Sequence, residues 1–276
     1  MTKRRLAALA AVVFALCAYL GTSPTLSAYT ASVVNTNDTI SMYVNNCRAT
    51  ALADSATRLY PLNENTGTTA FDVSPSAANG VYQGGRQSVS SSPYPCVRDV
   101  GNFASVDTTH YVSTTGTLPV SATTSSSHEA WFRTVNSQGV ITGMGDLATG
   151  ASTKKDNLLI ITALGRVGFL TYNLLNYEIT SPFAYNDGAW HHVVGVHDAS
   201  FGIRLYLDGA LSASLSGGHP ETFNGYVRIG YESTLGYVNG FATQTLSHFV
   251  GNLAFVAYYP YALTAAQVLA HYNSGR

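Results

Sequence analysis

Through the second half of the chain, apolar and polar side chains alternate in short runs, with glycine or Asp-Gly between them. Residues 189–214, AWHHVVGVHDASFGIRLYLDGALSAS, read as two such runs. In the second, Ile203, Leu205 and Leu207 share one face while Arg204, Tyr206 and Asp208 share the other, the period of a β-strand. The run turns at Asp208-Gly209, a pair that tolerates positive φ and closes a tight hairpin. Residues 140–143, 158–163 and 166–172 predict three more short strands with glycine punctuation. Residues 249–275 predict one further strand and then a short helix. Thr264 is placed to cap that helix, and Ala265, Ala266, Val268, Leu269 and Tyr272 give it helical spacing. The Ser/Thr/Pro-rich stretches 88–95 and 114–127 read as surface loops.

Earlier segments fit the same scheme. Residues 59–72 (LYPLNENTGTTAFD) and 79–82 (NGVY) read as an opening strand and its loop, and 128–134 (HEAWFRT) as a central aromatic strand. This succession resembles the laminin-G-like jelly roll of the concanavalin A-like lectin/glucanase superfamily, over residues 56–275. The resemblance implies an all-β fold: a two-sheet antiparallel jelly-roll sandwich with a short C-terminal helix, spanning residues 56–276. That scaffold serves mostly for recognition, and fold alone does not name a ligand.

Composition supports a loop-rich sandwich. Only 11% of the 276 residues are charged, and glycine and tyrosine are abundant. The N-terminus reads as a signal peptide over residues 1–28. Lys3, Arg4 and Arg5 precede an apolar run at 6–20 that is short for a membrane span, and small residues near Ser27 and Ala28 offer a cleavage point. Retained uncleaved, the same run would tether the protein to a membrane. Residues 28–39 also resemble the early mature region of bacterial biofilm-matrix proteins. A polar lead-in follows at 29–55, with one alternating run at 40–44. The expected location is secreted, extracellular or at the cell surface.

Charge and cysteine narrow the picture further. The chain carries 14 basic and 15 acidic side chains; without Lys3, Arg4 and Arg5 the balance is 11 to 15. A mildly acidic domain with no basic cluster argues against nucleic acid as a partner. Cys17 lies in the signal run, which leaves Cys47 and Cys96 as a pair. In an exported protein the pair reads as a disulfide, the alternative being two buried thiols.

Glucanases of this superfamily carry carboxylates two residues apart on one strand, so that both face the same cleft. Glu64, Glu129, Glu178, Glu221 and Glu232 have no acid at that spacing, so the Glu-x-Asp-x-Glu signature is absent and no catalytic residue is assigned. His191 and His197 share a face but stand about 20 Å apart along an extended strand, too far to share a metal. Asp72 sits in a polar loop of the kind that holds Ca²⁺ in some relatives. The ligand set is incomplete, and Ca²⁺ stays open.

Aromatic placement is more suggestive. Alternation puts Glu129, Trp131 and Arg133 on one face of their strand, with Arg204 and Tyr206 on the polar face of another. A Trp between two charges can stack a sugar ring while its neighbours bond the hydroxyls. The competing reading buries Trp131 as packing and pairs the charges locally. The expected function is non-catalytic recognition of an extracellular glycan or glycoprotein. A structural or adhesive matrix protein contacting other cell-surface proteins is the alternative, and a glycoside hydrolase a distant third.

Overall fold

The computed structural model describes residues 46–89, 95–99, 102–234 and 248–276. The expected signal peptide, the matrix-protein-like segment and the 40–44 run lie outside the described residues. The first strands are β1 (Arg58–Tyr60), β2 (Thr69–Ala70), β3 (Gly80–Gln83), β4 (Gln87–Val89), β5 (Phe103–Val106) and β6 (Tyr111–Thr114). Next come β7 (Leu118–Val120), β8 (Ser126–Arg133), β9 (Gly139–Gly145), β10 (Lys155–Ile161), β11 (Arg166–Asn173) and β12 (Leu175–Ala184). The last are β13 (Trp190–Asp198), β14 (Gly202–Leu207), β15 (Ala210–Ser216), β16 (Phe223–Ile229) and β17 (Gly251–Tyr259).

These strands form two antiparallel sheets, the jelly-roll sandwich expected from the sequence. One runs β15-β14-β13-β8-β17-β5-β4, with β1 paired to β17; the other runs β12-β11-β10-β9-β16-β6-β3-β2, with β7 paired to β16. The alternation explains the packing between them. Ala130, Phe132, Val193, Ile203 and Leu205 of the first sheet meet Ile141, Leu159, Phe169 and Val227 of the second, all fully or almost fully buried. The 114–127 stretch, expected as loop, contributes β7 and the start of β8.

The outer face of the first sheet departs most from a simple apolar-in, polar-out sandwich. It carries a second apolar cluster that includes Trp131, Val194, Val196, Tyr206, Ala254 and Tyr259. Two helices supply the cover. The closing helix, Ala265–Ser274, starts where the sequence predicts. Thr264 Oγ1 accepts the Gln267 N–H and the Gln267 side chain reaches back to the cap, a reciprocal capping box. The helix buries Val268, His271 and Ser274. It also leans on the β14–β15 hairpin, whose Asp208 and Gly209 have φ of 49° and 81°. A Cβ at Gly209 would come within 2.9 Å of the Tyr272 ring, so glycine there serves both the turn and the close helix.

The other helix, Cys47–Ala53, falls in the stretch read as a polar lead-in. Asn46 caps it, its Oδ1 accepting the Ala49 N–H at 2.7 Å. Cys47 and Cys96 are joined by a disulfide, with Cα atoms 5.6 Å apart, as the cysteine arithmetic predicts. The bridge fixes the helix to the 95–99 loop, and the Cys96 N–H donates to the Gly275 carbonyl at 2.9 Å. Both helices are therefore anchored at the same end of the sheet. No helix among the described residues is long and apolar enough to cross a membrane.

Candidate functional site

The structure brings Glu129, Trp131 and Tyr206 together, but beneath the helices. Their exposures are 5%, 3% and 5%. Trp131 stacks at 6.0 Å against the Tyr272 ring of the closing helix, and a Cβ on Gly275 would fall 2.1 Å from its indole. Arg133 is half-buried at the end of β8, where it pairs with Trp190 and Asn252 across the ladder. Arg204 holds Asp198 at 2.9 Å and lies over the Phe201 ring. The expectation of a sugar-stacking platform on this face is corrected. Period-2 alternation separates the two faces of a strand, but cannot tell a face that meets water from one capped by helices.

Glu129 is the hub of the covered face. Its Oε1 sits 2.7 Å from His192 Nε2; its Oε2 accepts the Tyr259 hydroxyl at 2.6 Å and lies 2.9 Å from His271 Nδ1. His271 Nε2 in turn reaches Asp54 Oδ2 at 2.9 Å, just beyond the first helix. Burial alone would discharge His271, yet the carboxylates of Glu129 and Asp54 outweigh it and raise the imidazole from 6.5 to about 9. Burial would likewise raise Glu129; the charge on His271 and the bonds from both histidines hold it below its ordinary value instead. Every member bonds at least one other, although His192 Nδ1 has no partner, and the network ties both helices to three strands. This is structural chemistry.

Beside that closed region the surface opens into a cavity of about 280 Å³. Asn46, Arg48, Asn63, Arg98 and Asp99 supply its polar lining; Pro61, Val73 and Phe255 supply the apolar part. Its assembly follows from three local features. A β-bulge in β17, between Ala254 and Ala257 against β8, inserts the extra residue Phe255, whose N–H donates to the Pro61 carbonyl at 3.2 Å. The disulfide flanks the polar side: Asn46 and Arg48 adjoin Cys47, while Arg98 and Asp99 follow Cys96. Asp99 Oδ2 then accepts the Cys47 N–H at 2.8 Å. Burial raises the Asp99 carboxyl above its ordinary range, against the pull of that N–H, the Arg48 N–H and the Arg48 charge.

Backbone strain marks the same place. Leu62, Cys96 and Phe255 have φ of 58°, 60° and 47°, a region that costs a side-chain-bearing residue roughly 1–3 kcal/mol. One of the three lines the cavity, one lies between two lining residues and one is half of the bridge. Surrounding structure holds all three in place. Sequence reading had no signal for the cavity beyond Cys47 and Cys96, because its lining comes from five separated segments.

Other candidate chemistry resolves into scaffold. Asp72 is 5% exposed and its oxygens accept from the Leu59, Ser74 and Ala78 N–H groups and the Ser76 hydroxyl. Its carboxylate braces the loop rather than facing an ion. The carboxylates of Asp208 and Asp187 flank His191, at 2.9 and 3.1 Å, while His197 pairs with His219 at 2.9 Å. Cys47, Cys96 and Asp99 cluster closely, but both sulfurs belong to the disulfide.

Two stacked antiparallel sheets, crossing jelly-roll connections and a closing helix define a lectin-like sandwich. The chain belongs to the concanavalin A-like lectin/glucanases superfamily, whose laminin-G family pattern matches residues 106–269, more than half its length. Among solved structures it is similar to the binding domain of Paraclostridial Mosquitocidal Protein 1. The TM-score is 0.57 at 13% identity, covering 79% of this chain and 52% of that one. Domain 4 of AbnA, a GH43 extracellular arabinanase from Geobacillus stearothermophilus in complex with arabinotriose, has a TM-score of 0.54 at 13% identity. The match covers 80% of this chain and 98% of that domain. The botulinum neurotoxin serotype D ligand-binding domain in complex with N-acetylneuraminic acid gives 0.54 at 14% identity, over 82% and 52%. The chain spans about half the length of the toxin binding domains it matches. At these identities the likeness concerns the fold. A search of curated proteins found no match.

Proposed function

We propose that the protein is an exported, non-catalytic recognition module that binds carbohydrate in the cavity between the first helix, the 95–99 loop and β17. The carrying observation is the lining: an apolar floor from Pro61, Val73 and Phe255, ringed by two carboxamides and two guanidinium groups. A sugar ring offers an apolar face and a rim of hydroxyls, and this arrangement meets both. Similar folds described in complex with arabinotriose and N-acetylneuraminic acid support the reading. Affinity per site is expected in the micromolar to millimolar range, roughly −8 to −4 kcal/mol, because sugars give up good water contacts on binding. The disulfide supports an oxidising, extracellular location.

The non-catalytic part rests on how the acids are placed. Burial pushes Glu178 on β12 up to about 7, the range of a general acid. Glycoside cleavage also needs a second carboxyl facing the same cleft about 5–10 Å away. Leu170 stands directly opposite Glu178. Asp156, the buried acid of β10, is 0% exposed and accepts the N–H groups of Asn157, Tyr172 and Glu221.

A second reading, adhesion through protein contacts, is favoured by one observation. Leu175 and Phe183, at 64% and 73% exposure, lie on β12, the edge strand of the second sheet, and Leu174, at 86%, is in the turn just before it. Retention of the secreted protein on immobilised glycans, followed by elution with free sugar, tests the choice. Release by sugar is expected of the carbohydrate module. Retention on cell-envelope protein that sugar does not reverse would favour adhesion.

A further inference from the structure

We propose that Tyr111 and Tyr231 form an oxidative cross-linking site, at which hydrogen peroxide and a haem peroxidase couple the two rings through a carbon–carbon bond. The site uses no residue of the carbohydrate cavity and stands independently of it. The two rings lie with their centroids 5.0 Å apart and their planes tilted by 46°. Two directly bonded phenols are twisted, because groups beside the new bond clash when the rings are coplanar. A tilted pair in contact is therefore closer to the coupled product than a stacked or perpendicular one.

Both rings are held in place by the fold. Tyr111 opens β6, opposite Gln83 of β3. Ile229 of β16 pairs with Val112, which puts Tyr231 just past the end of that ladder. The Tyr231 ring stacks on His248 at 4.2 Å, and the Arg228 guanidinium stands 5.4 Å over it. An antiparallel bridge between Tyr231 and His248 fixes the backbone as well. Such positioning replaces a chance encounter of two radicals by a contact already made. Access is the second argument. Tyr111 and Tyr231 are half-buried and in reach of solvent. The Tyr259–Tyr261 pair is the contrast: its centroids are 6.2 Å apart, its planes cross at 74°, and Tyr259 is fully buried with its hydroxyl on Glu129.

The coupling balances. Each phenol loses one electron and one proton, and the two radicals join at ring carbons adjacent to the hydroxyl-bearing carbons. The hydrogens on those carbons move to the oxygens and restore both phenols. One hydrogen peroxide takes up the two electrons and two protons and leaves as two waters. The Cys47–Cys96 bridge fits an oxidising location, where such an oxidant can act. The new bond would lock β16 to β6 where their pairing ends.

The experiment treats dilute secreted protein with hydrogen peroxide and a haem peroxidase, with an unstructured tyrosine peptide in a parallel reaction to show that the oxidant works. Peptide mapping is expected to find the Tyr111 and Tyr231 peptides joined and lighter than their sum by two hydrogens. Dityrosine fluorescence and a higher Tm should accompany that product. Tyr111→Phe and Tyr231→Phe keep both rings, and each should lose the product, the fluorescence and the gain in Tm. Tyr261→Phe should keep all three. Coupling of the control peptide but not of the protein would overturn the inference. So would undiminished fluorescence in either the Tyr111→Phe or the Tyr231→Phe variant, or a product found only between molecules.

Discussion

Two polar constellations sit side by side on the outer face of the first sheet, and they have opposite characters. Around Glu129, two histidines, a tyrosine and Asp54 are bonded in one network under two helices. A few residues away, Arg48, Arg98 and Asn63 converge on an open cavity with an apolar floor. Both are rich in groups that could bind a sugar, and both border the disulfide-anchored helix. The difference is access. A buried carboxylate with a full set of partners stabilises its surroundings and can be broken only at a cost. Polar groups that meet at a concave surface stay in reach of solvent and of a ligand.

Trp131→Ala is the most severe break expected. It empties the space between β8 and the closing helix and should cost about 3–5 kcal/mol, read as a lower urea midpoint or failure to secrete. A variant with normal stability would show that Trp131 is not core. Removing the bridge by Cys47→Ser/Cys96→Ser comes next. Loop-closure entropy predicts a loss of roughly 3–4 kcal/mol, and calorimetry should find it together with lost glycan retention.

Glu129→Gln should cost about 3 kcal/mol, because His271 then keeps a charge in the interior with half its compensation gone. The same pair sets a pH signature. His271 is raised from 6.5 to about 9 in the folded state, so its contribution is complete below pH 6.5 and fades as pH climbs through 9. Glu129 is shifted downward, so its contribution is present above its ordinary range and fades toward acid. Thermal scans between pH 6.5 and 9.5 should show a falling Tm in the native protein and a flatter profile in His271→Gln. At the small end, Arg98→Ala should change stability by less than about 0.5 kcal/mol, as exposed positions do. A large loss of stability there would erase the contrast between the closed hub and the open cavity.

The sandwich was legible where side chains repeat with period two. The 203–207 run, the Asp208-Gly209 turn and the Thr264-capped helix all stand where their spacing puts them. The first helix was missed because Cys47–Ala53 is too short for periodicity to register, and only Asn46 marks its start. Glu129 and Trp131 share a face as alternation requires, yet that face is interior. Nothing in the local pattern of 128–134 states that residues 265–274 will fold back over it.

Sequence alone determined the local choices, because strand alternation, tight-turn chemistry and helix capping depend on neighbours a few residues apart. It also named Cys47 and Cys96 as the candidate pair, since no third cysteine competes outside the apolar N-terminal run, while the structure decided between a bridge and two buried thiols. Tertiary structure decided which polar groups meet water. The hub draws on β8, β13, β17 and both helices; the cavity draws on the first helix, the loops after β1 and β2, the 95–99 loop and a bulge in β17. Burial is a property of what packs on top, and what packs on top of this sheet comes from the two ends of the described chain.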